Sequence, residues 1–232
     1  MELSARLEAV AGMVTKGNRV CDVGCDHGYI SIYLVKNGIS PKVYAMDVNE
    51  GPLLRAKEHI RDYGYEEKIE TILSDGLISL EDRESDALVC AGMGGRLVIK
   101  ILTEGMEKVQ KMKELILQPQ SEIHLVRAFL RKQGFYIDKE DMVYEDGKYY
   151  PMMHVLVKTD KYNEENLLFD KFGPNLLSKK HPVLKEYLCY TKNTLDEIEK
   201  KLKAEEQTDK IINRISELEI QKKEVEEAMG FF

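Results

Sequence analysis

Asp22-Val23-Gly24-Cys25-Asp26-His27-Gly28 is the stretch on which the reading of the fold turns. Ahead of it, Arg19-Val20-Cys21-Asp22-Val23 has the β-branched, apolar character of a strand. Behind it, residues 29–37 place Ile30, Tyr33 and Leu34 on one helical face, with Gly38 as the stop. A glycine turn between strand and helix lets a ligand approach backbone amides at a helix N-terminus. Outward from this point the alternation repeats. Residues 43–47 read as a second strand and 52–62 as a helix, with Pro52 in its favoured first turn. Residues 69–73 read as a third strand, 86–91 as a fourth, 96–111 as the helix after it, and Leu115-Ile116-Leu117 as a fifth strand. Ser121 is expected to cap the next helix, which ends at Gly134. Residues 135–143 and 152–158 flank Asp146-Gly147, a hairpin turn signal. Five β-then-α units closed by an antiparallel hairpin predict an α/β fold with a doubly wound, mainly parallel sheet.

The loop chemistry narrows the ligand. A nicotinamide-binding turn reads G-x-G-x-x-G, but counting from Gly24 this chain has Asp26 and Tyr29 where that motif needs glycines. Asp26 would also set a carboxylate against a pyrophosphate. Asp22 and Asp26 suit a cation, and S-adenosylmethionine carries both an ammonium and a sulfonium. Asp47 ends the second strand, where an acid commonly accepts from ribose hydroxyls; Val48 follows it. After the third strand come Ser74-Asp75-Gly76-Leu77, in which Asp75 can accept from an adenine amino group and Leu77 can offer apolar contact. Gly92-Met93-Gly94-Gly95 follows the fourth strand and lets a flat base approach the backbone. Amino-methylating enzymes often carry Asp-Pro-Pro-Tyr or Asn-Pro-Pro-Tyr at that place, and this chain does not. Gln118-Pro119-Gln120 puts two amides and a rigid turn at the same edge, suited to reading a base by hydrogen bonds. The closing hairpin also fits a methyltransferase sheet better than a dehydrogenase sheet.

After about residue 160 the pattern changes. Leu184, Leu188, Thr191, Leu195, Ile198 and Leu202 follow a 4-3-4-3-4 spacing. Ile211, Ile215, Leu218, Val225 and Met229 follow it too, with Lys222 at the one polar slot. The two seams predict helices joined near residues 204–209, packed as an antiparallel coiled-coil hairpin; one bent helix is the alternative. The expected domains are therefore a catalytic 1–160 and a helical 161–232. Residues 171–185 hold Lys171, Lys179, Lys180, His181, Lys185 and no carboxylate, which reads either as a solvated linker or as a phosphate contact. Lys192, Lys200, Lys201 and Lys203 continue that basic character.

Composition sets outer limits. With 232 residues and 43% hydrophobic content, the chain can bury a full core plus an appendage. The net charge of −7 argues against a globally basic nucleic-acid surface, though binding depends on where charges sit. No apolar run approaches the roughly 18–20 residues of a membrane span. The N-terminal residues lack a secretory pattern, and Cys21, Cys25, Cys90 and Cys189 form no C-x-x-C pair, so neither a disulfide framework nor a metal site is expected. A reducing cytoplasm is the expected compartment.

Taken together, Leu3-Ser4-Ala5-Arg6-Leu7, the Asp22 to Tyr29 loop, Ala45-Met46-Asp47, Ser74 to Leu77, Ala91 to Gly95 and Leu117 to Gln120 resemble the bacterial tRNA (adenine-22) N1-methyltransferases. The resemblance covers nearly the whole chain, loosest after residue 160. It implies a Rossmann-like class I methyltransferase domain, S-adenosylmethionine as donor, and N1 of a D-loop adenine in tRNA as acceptor. Another RNA, a small molecule or a protein remains the alternative acceptor, and a non-catalytic nucleoside-binding adaptor a more distant one. The expected cofactor set is Asp22, Gly24, Cys25, Asp26, His27, Gly28, Asp47, Val48, Ser74, Asp75, Gly76, Leu77, Gly92 and Met93. Candidates at the reacting base are Asp26, His27, Tyr29, Gly92, Met93 and Gly94. Arg6, Gln118, Pro119, Gln120, Lys179 and Lys180 are the candidate RNA contacts.

Overall fold

The computed structural model describes residues 2–81, 83–161, 164–205 and 208–232. The chain divides between Glu165 and Asn166 into two compact units. The first begins with α1 (Ala5–Gly12), then β1 (Val20–Val23), α2 (Tyr29–Lys36), β2 (Val43–Asp47), α3 (Glu50–Asp62) and β3 (Ile69–Leu73). A 3-10 turn at Ile78–Leu80 leads to β4 (Ala87–Gly94), α4 (Gly95–Glu104), α5 (Met106–Val109), β5 (Glu114–Ser121), α6 (Ile123–Lys132), β6 (Tyr136–Glu145) and β7 (Lys148–Leu156).

These seven strands form one sheet in the order β3-β2-β1-β4-β5-β7-β6, and β7 alone runs against its neighbours. This is the Rossmann-like arrangement of class I methyltransferases. Every residue of β1 and β2 is buried, because helices cover both sheet faces. Side chains alternate between those faces. Leu88 and Cys90 of β4 join one apolar cluster with Leu115 and Leu117 of β5, while Ala87 and Val89 join the other with Ile116. The strand order reverses between β1 and β4, and a crevice opens there beyond the carboxyl ends of the strands.

Several local expectations are corrected. α1 is a helix that periodicity did not single out; Ser4 caps it by accepting from the Leu7 amide. The single helix expected over 96–111 is broken at Gly105. A Cβ there would lie 2.6 Å from Leu77 Cδ1, so the helix closes against the core at a residue with no side chain. Among the described residues between β3 and β4 there is a 3-10 turn and no α-helix. The Gly92-Met93-Gly94 and Gln118-Pro119-Gln120 segments are not turns. They extend β4 and β5, which stay paired through register shifts around Met93. Ser121 is consequently the last residue of β5, and Glu122, at φ +50°, precedes α6 without a side-chain cap.

The second unit holds α7 (Leu167–Phe172), α8 (Pro174–Ser178), α9 (Pro182–Lys203) and α10 (Asp209–Met229). Asn166 Oδ1 caps α7 by accepting from the amides of Leu168 and Phe169. α7 and α8 occupy much of the stretch that sequence left open as a linker. Leu184, Leu188 and Leu195 of α9 and Leu218, Val225 and Ala228 of α10 are buried. Lys192 pairs with Glu226 at 2.9 Å, and Lys222 reaches Asp196 at 2.5 Å and Glu199 at 2.7 Å. Partners fall back along α10 as position advances along α9, so the helices run antiparallel and are separate rather than one bent helix. The polar slot at Lys222 is filled by two carboxylates. Within the joint expected at 204–209, residues 206 and 207 lie outside the described residues.

Candidate active site

The turn after β1 is tied down by backbone bonds. The amides of Gly24 and Cys25 both donate to the Met46 carbonyl, at 2.8 and 3.0 Å. Gly24 sits at φ +75°, and a Cβ there would lie 2.0 Å from Met93 Cε. A side chain at 24 would therefore be strained and would crowd the tip of β4. The strand-end acids hold the loop from below. Asp47 accepts from the amides of Asn49 at 2.9 Å and Asp26 at 3.3 Å. Asp22 accepts from the Ser31 hydroxyl at 2.7 Å, which fixes its carboxylate against the first turn of α2. His59 of α3 donates from Nδ1 to the His27 carbonyl at 3.0 Å. Its ring, with those of His27 and Tyr29, forms a near-parallel set with centroids 5.3 to 5.7 Å apart.

Above this loop lies a cavity of about 430 Å³, within the range of small-ligand sites. Asp22, Gly24, Cys25, Asp26, His27, Tyr29 and Asp47 line one side, and Gly92, Met93 and Gln120 the tips of β4 and β5. α1 contributes Arg6, whose Nη1 donates to Gln118 Oε1 at 2.8 Å. Burial pushes the Asp22 carboxyl up to about 6, partly offset by the Ser31 hydroxyl. Burial also lifts the Cys25 thiol far above its ordinary value, so Cys25 is a neutral wall and not a thiolate.

Residues 3–153, which hold this crevice and its three carboxylates, match the family described as a methyltransferase domain. The chain belongs to that family. Its first 153-residue match to a curated relative is 35% identical to the tRNA (adenine(22)-N(1))-methyltransferase of Bacillus subtilis, covering 66% of this chain and 64% of that protein. The match thus spans just under two thirds of that relative's length. Among solved structures, Streptococcus pneumoniae Sp1610 in complex with S-adenosyl-L-methionine is 30% identical, with a TM-score of 0.87 over 98% of this chain and 100% of that one. Mycoplasma capricolum TrmK in complex with S-adenosyl-homocysteine is 26% identical, with a TM-score of 0.86 over 100% and 99%.

In this chain the nominated residues separate into groups. The loop from Asp22 to Tyr29, Asp47, Gly92, Met93, Arg6 and Gln120 come together around the cavity, with Gly28 buried beneath them. Val48 is exposed beside them, at 59%. Gly94 lies behind, at the start of α4. The segment after β3 is mostly structural. Ser74 Oγ bonds the Gly76 carbonyl and the Ser79 amide, and Gly76 packs on Ile101. Leu77 is turned into the core at 2% exposure, which corrects its expected ligand contact; Asp75 stays exposed and pairs with Lys100 at 3.3 Å. Gln118 and Pro119 are buried, so base reading by Gln118 is also corrected: its amide oxygen is taken by Arg6. Asn49, Pro52 and Ile30 line the cavity without having been nominated. Their signal was place alone, just past a strand tip or a loop.

The basic run of the second unit is partly consumed internally. Lys171 pairs with Glu224, Lys192 with Glu226 and Lys203 with Glu199. Lys179, Lys180, Lys200 and Lys201 are exposed and make no ion pair among the described residues.

Proposed function

We propose that this protein transfers a methyl group from S-adenosylmethionine to N1 of an adenine in tRNA, at position 22 of the D-loop, in the cytoplasm. The observation that carries the reading is the set of three carboxylates, Asp22, Asp26 and Asp47, around the open glycine turn at the strand tips. The described residues contain no helix long and apolar enough to cross a membrane. The target of the similar Bacillus subtilis enzyme supplies the acceptor.

The cavity fits the donor: a buried carboxylate lines it at Asp22, and Gly24 and Gly92 line it without a side chain. Asp22 would pair with the ammonium, Asp47 would accept from the ribose hydroxyls, and Val48 would offer an apolar surface beside them. The bound donor supplies an electrophilic methyl group on a sulfonium. Adenine N1 has an in-plane lone pair, so the protein needs no strong base; its residues align the base and exclude water. N1 lies on the Watson–Crick edge, so the adenine must be unpaired or flipped out to reach the cavity. Asp26 or a carbonyl of the Gly92-Met93 segment would accept from the N6 amino group and stabilise the charge that develops on the ring.

Two results test this reading. Incubation with labelled donor and unmodified tRNA should incorporate label, and reverse transcriptase should halt at the modified adenine. Incorporation with read-through at that position would move the methyl to another atom. The second test is pH. Asp22 holds an ammonium only when ionised, and its carboxyl sits at about 6. Donor affinity should be flat above pH 7 and fall on the order of tenfold per unit well below pH 6. In Asp22→Asn the affinity should be weak and nearly level across that range. Calorimetry between pH 5 and 8 decides it, and a flat profile for the unmodified protein removes Asp22 from this role.

A further inference from the structure

Among the described residues, Arg6 is the one lysine or arginine that lines the cavity. Among the described residues no carboxylate lies within ion-pair distance of it. Two neutral groups hold it instead. Gln118 Oε1 takes one of its five N–H donors at 2.8 Å, and its guanidinium carbon lies 5.2 Å from the centre of the Tyr150 ring. Tyr150 belongs to β7, opposite Val143 of β6, and Gln118 to β5, whereas Arg6 is in the first turn of α1. Three distant segments thus meet at one guanidinium whose charge none of them cancels.

That arrangement has a chemical consequence. Arg127 in this unit, by contrast, pairs with the buried carboxylate of Glu140. A free arginine samples many rotamers, and each must be given up when an anion binds. Stacking on Tyr150 and one bond to Gln118 remove that freedom in advance and leave the remaining donors for a planar pair of oxygens. We propose that Tyr150 is a positioning residue that presents Arg6 as an anchor for anionic oxygens entering the cavity. The oxygens come either from the carboxylate of the donor or from a phosphate of the acceptor RNA. The proposal rests on the methyl-transfer reading for its ligands, but the clamp can be tested by binding alone.

The experiment compares the unmodified protein with Tyr150→Phe and Tyr150→Leu in the full chain. Phenylalanine keeps the ring and should behave as the parent; leucine removes it. Urea midpoints of the three proteins establish that the leucine form is folded at the assay temperature. In one arm, calorimetry measures S-adenosyl-homocysteine and methylthioadenosine, which lacks the amino-acid portion. Anchoring of the carboxylate predicts that Tyr150→Leu weakens the first by roughly 3- to 30-fold and leaves the second unchanged. In the other arm, steady-state methylation of unmodified tRNA is followed. Anchoring of a phosphate predicts a KM for tRNA raised by the same factor, with kcat little changed and binding of both nucleosides intact. Either pattern, with Tyr150→Phe like the parent, supports the clamp. It is overturned if both arms are unmoved in folded Tyr150→Leu, or if Tyr150→Phe is as impaired as Tyr150→Leu. If the unmodified protein fails to methylate tRNA, the functional reading fails and the first arm still judges the clamp.

Discussion

Replacing Glu114 with alanine should destabilise the first unit by about 3–5 kcal/mol, the loss expected when one partner of a buried charge network is removed. Glu114 opens β5 and is buried, yet it accepts four hydrogen bonds. Oε1 takes the Thr15 amide at 2.9 Å and Asn18 Nδ2 at 3.0 Å; Oε2 takes the Thr15 hydroxyl at 2.5 Å and His154 Nε2 at 2.8 Å. His154 in turn faces Asp138 at 3.6 Å. One carboxylate therefore joins the segment before β1 to β5, β7 and β6. Alanine would leave several buried donors unmatched and open a void beside them. Burial pushes this carboxyl up, but the donors from His154, Thr15 and Asn18 outweigh it and the net displacement is downward. Its contribution is therefore complete above the ordinary carboxylate range and is lost as pH falls through the lowered value. Urea titrations at pH 7 should show the midpoint displaced strongly downward in Glu114→Ala. A midpoint matching the parent would show that the network is dispensable.

A chain ending at Glu165 should bind donor normally and lose most of its methylation of tRNA. Among the described residues, all seven strands and every residue lining the cavity lie before that point. A tRNA is far larger than a 430 Å³ cavity, and residues 1–160 hold 21 basic and 26 acidic side chains, so the first unit does not attract phosphate as a whole. Lys179, Lys180, Lys200 and Lys201 are among the exposed cations of the second unit that make no ion pair among the described residues, and RNA contact would rest on them. The loss in tRNA affinity should be at least on the order of tenfold at low salt, with a shallower salt dependence, since each lost phosphate contact removes nearly one from the log–log slope. The place of the cut follows the division between Glu165 and Asn166. Filter binding at several salt concentrations and methyl incorporation check this together. Full activity in the short chain would leave the helices a structural or pairing role.

The parts of this protein legible in sequence are those set by local chemistry. Parallel strands covered on both faces are apolar at nearly every position, so 43–47 was readable to the residue; the edge strand 69–73 was readable from its β-branched Ile69, Thr71 and Ile72. The turn from Asp22 to Gly28 was readable because glycines between a strand pattern and a helix pattern mark a turn, and the acids among them set its charge. The antiparallel hairpin of α9 and α10 was readable because a 3.5-residue repeat can be buried only against another helix. Tertiary structure alone decided which motif residues face the cavity. Gln118 and Gln120 are two apart on one strand, yet Gln118 is buried on Arg6 and Gln120 reaches the cavity at the strand's end. Leu77 left the expected ligand surface because Gly105, in a distant helix junction, made room for it in the core. Arg6 found its partners 112 and 144 residues away, at Gln118 and Tyr150. Period and spacing report a residue's own segment, whereas burial and partnership depend on contacts between segments that only the closed sheet brings together.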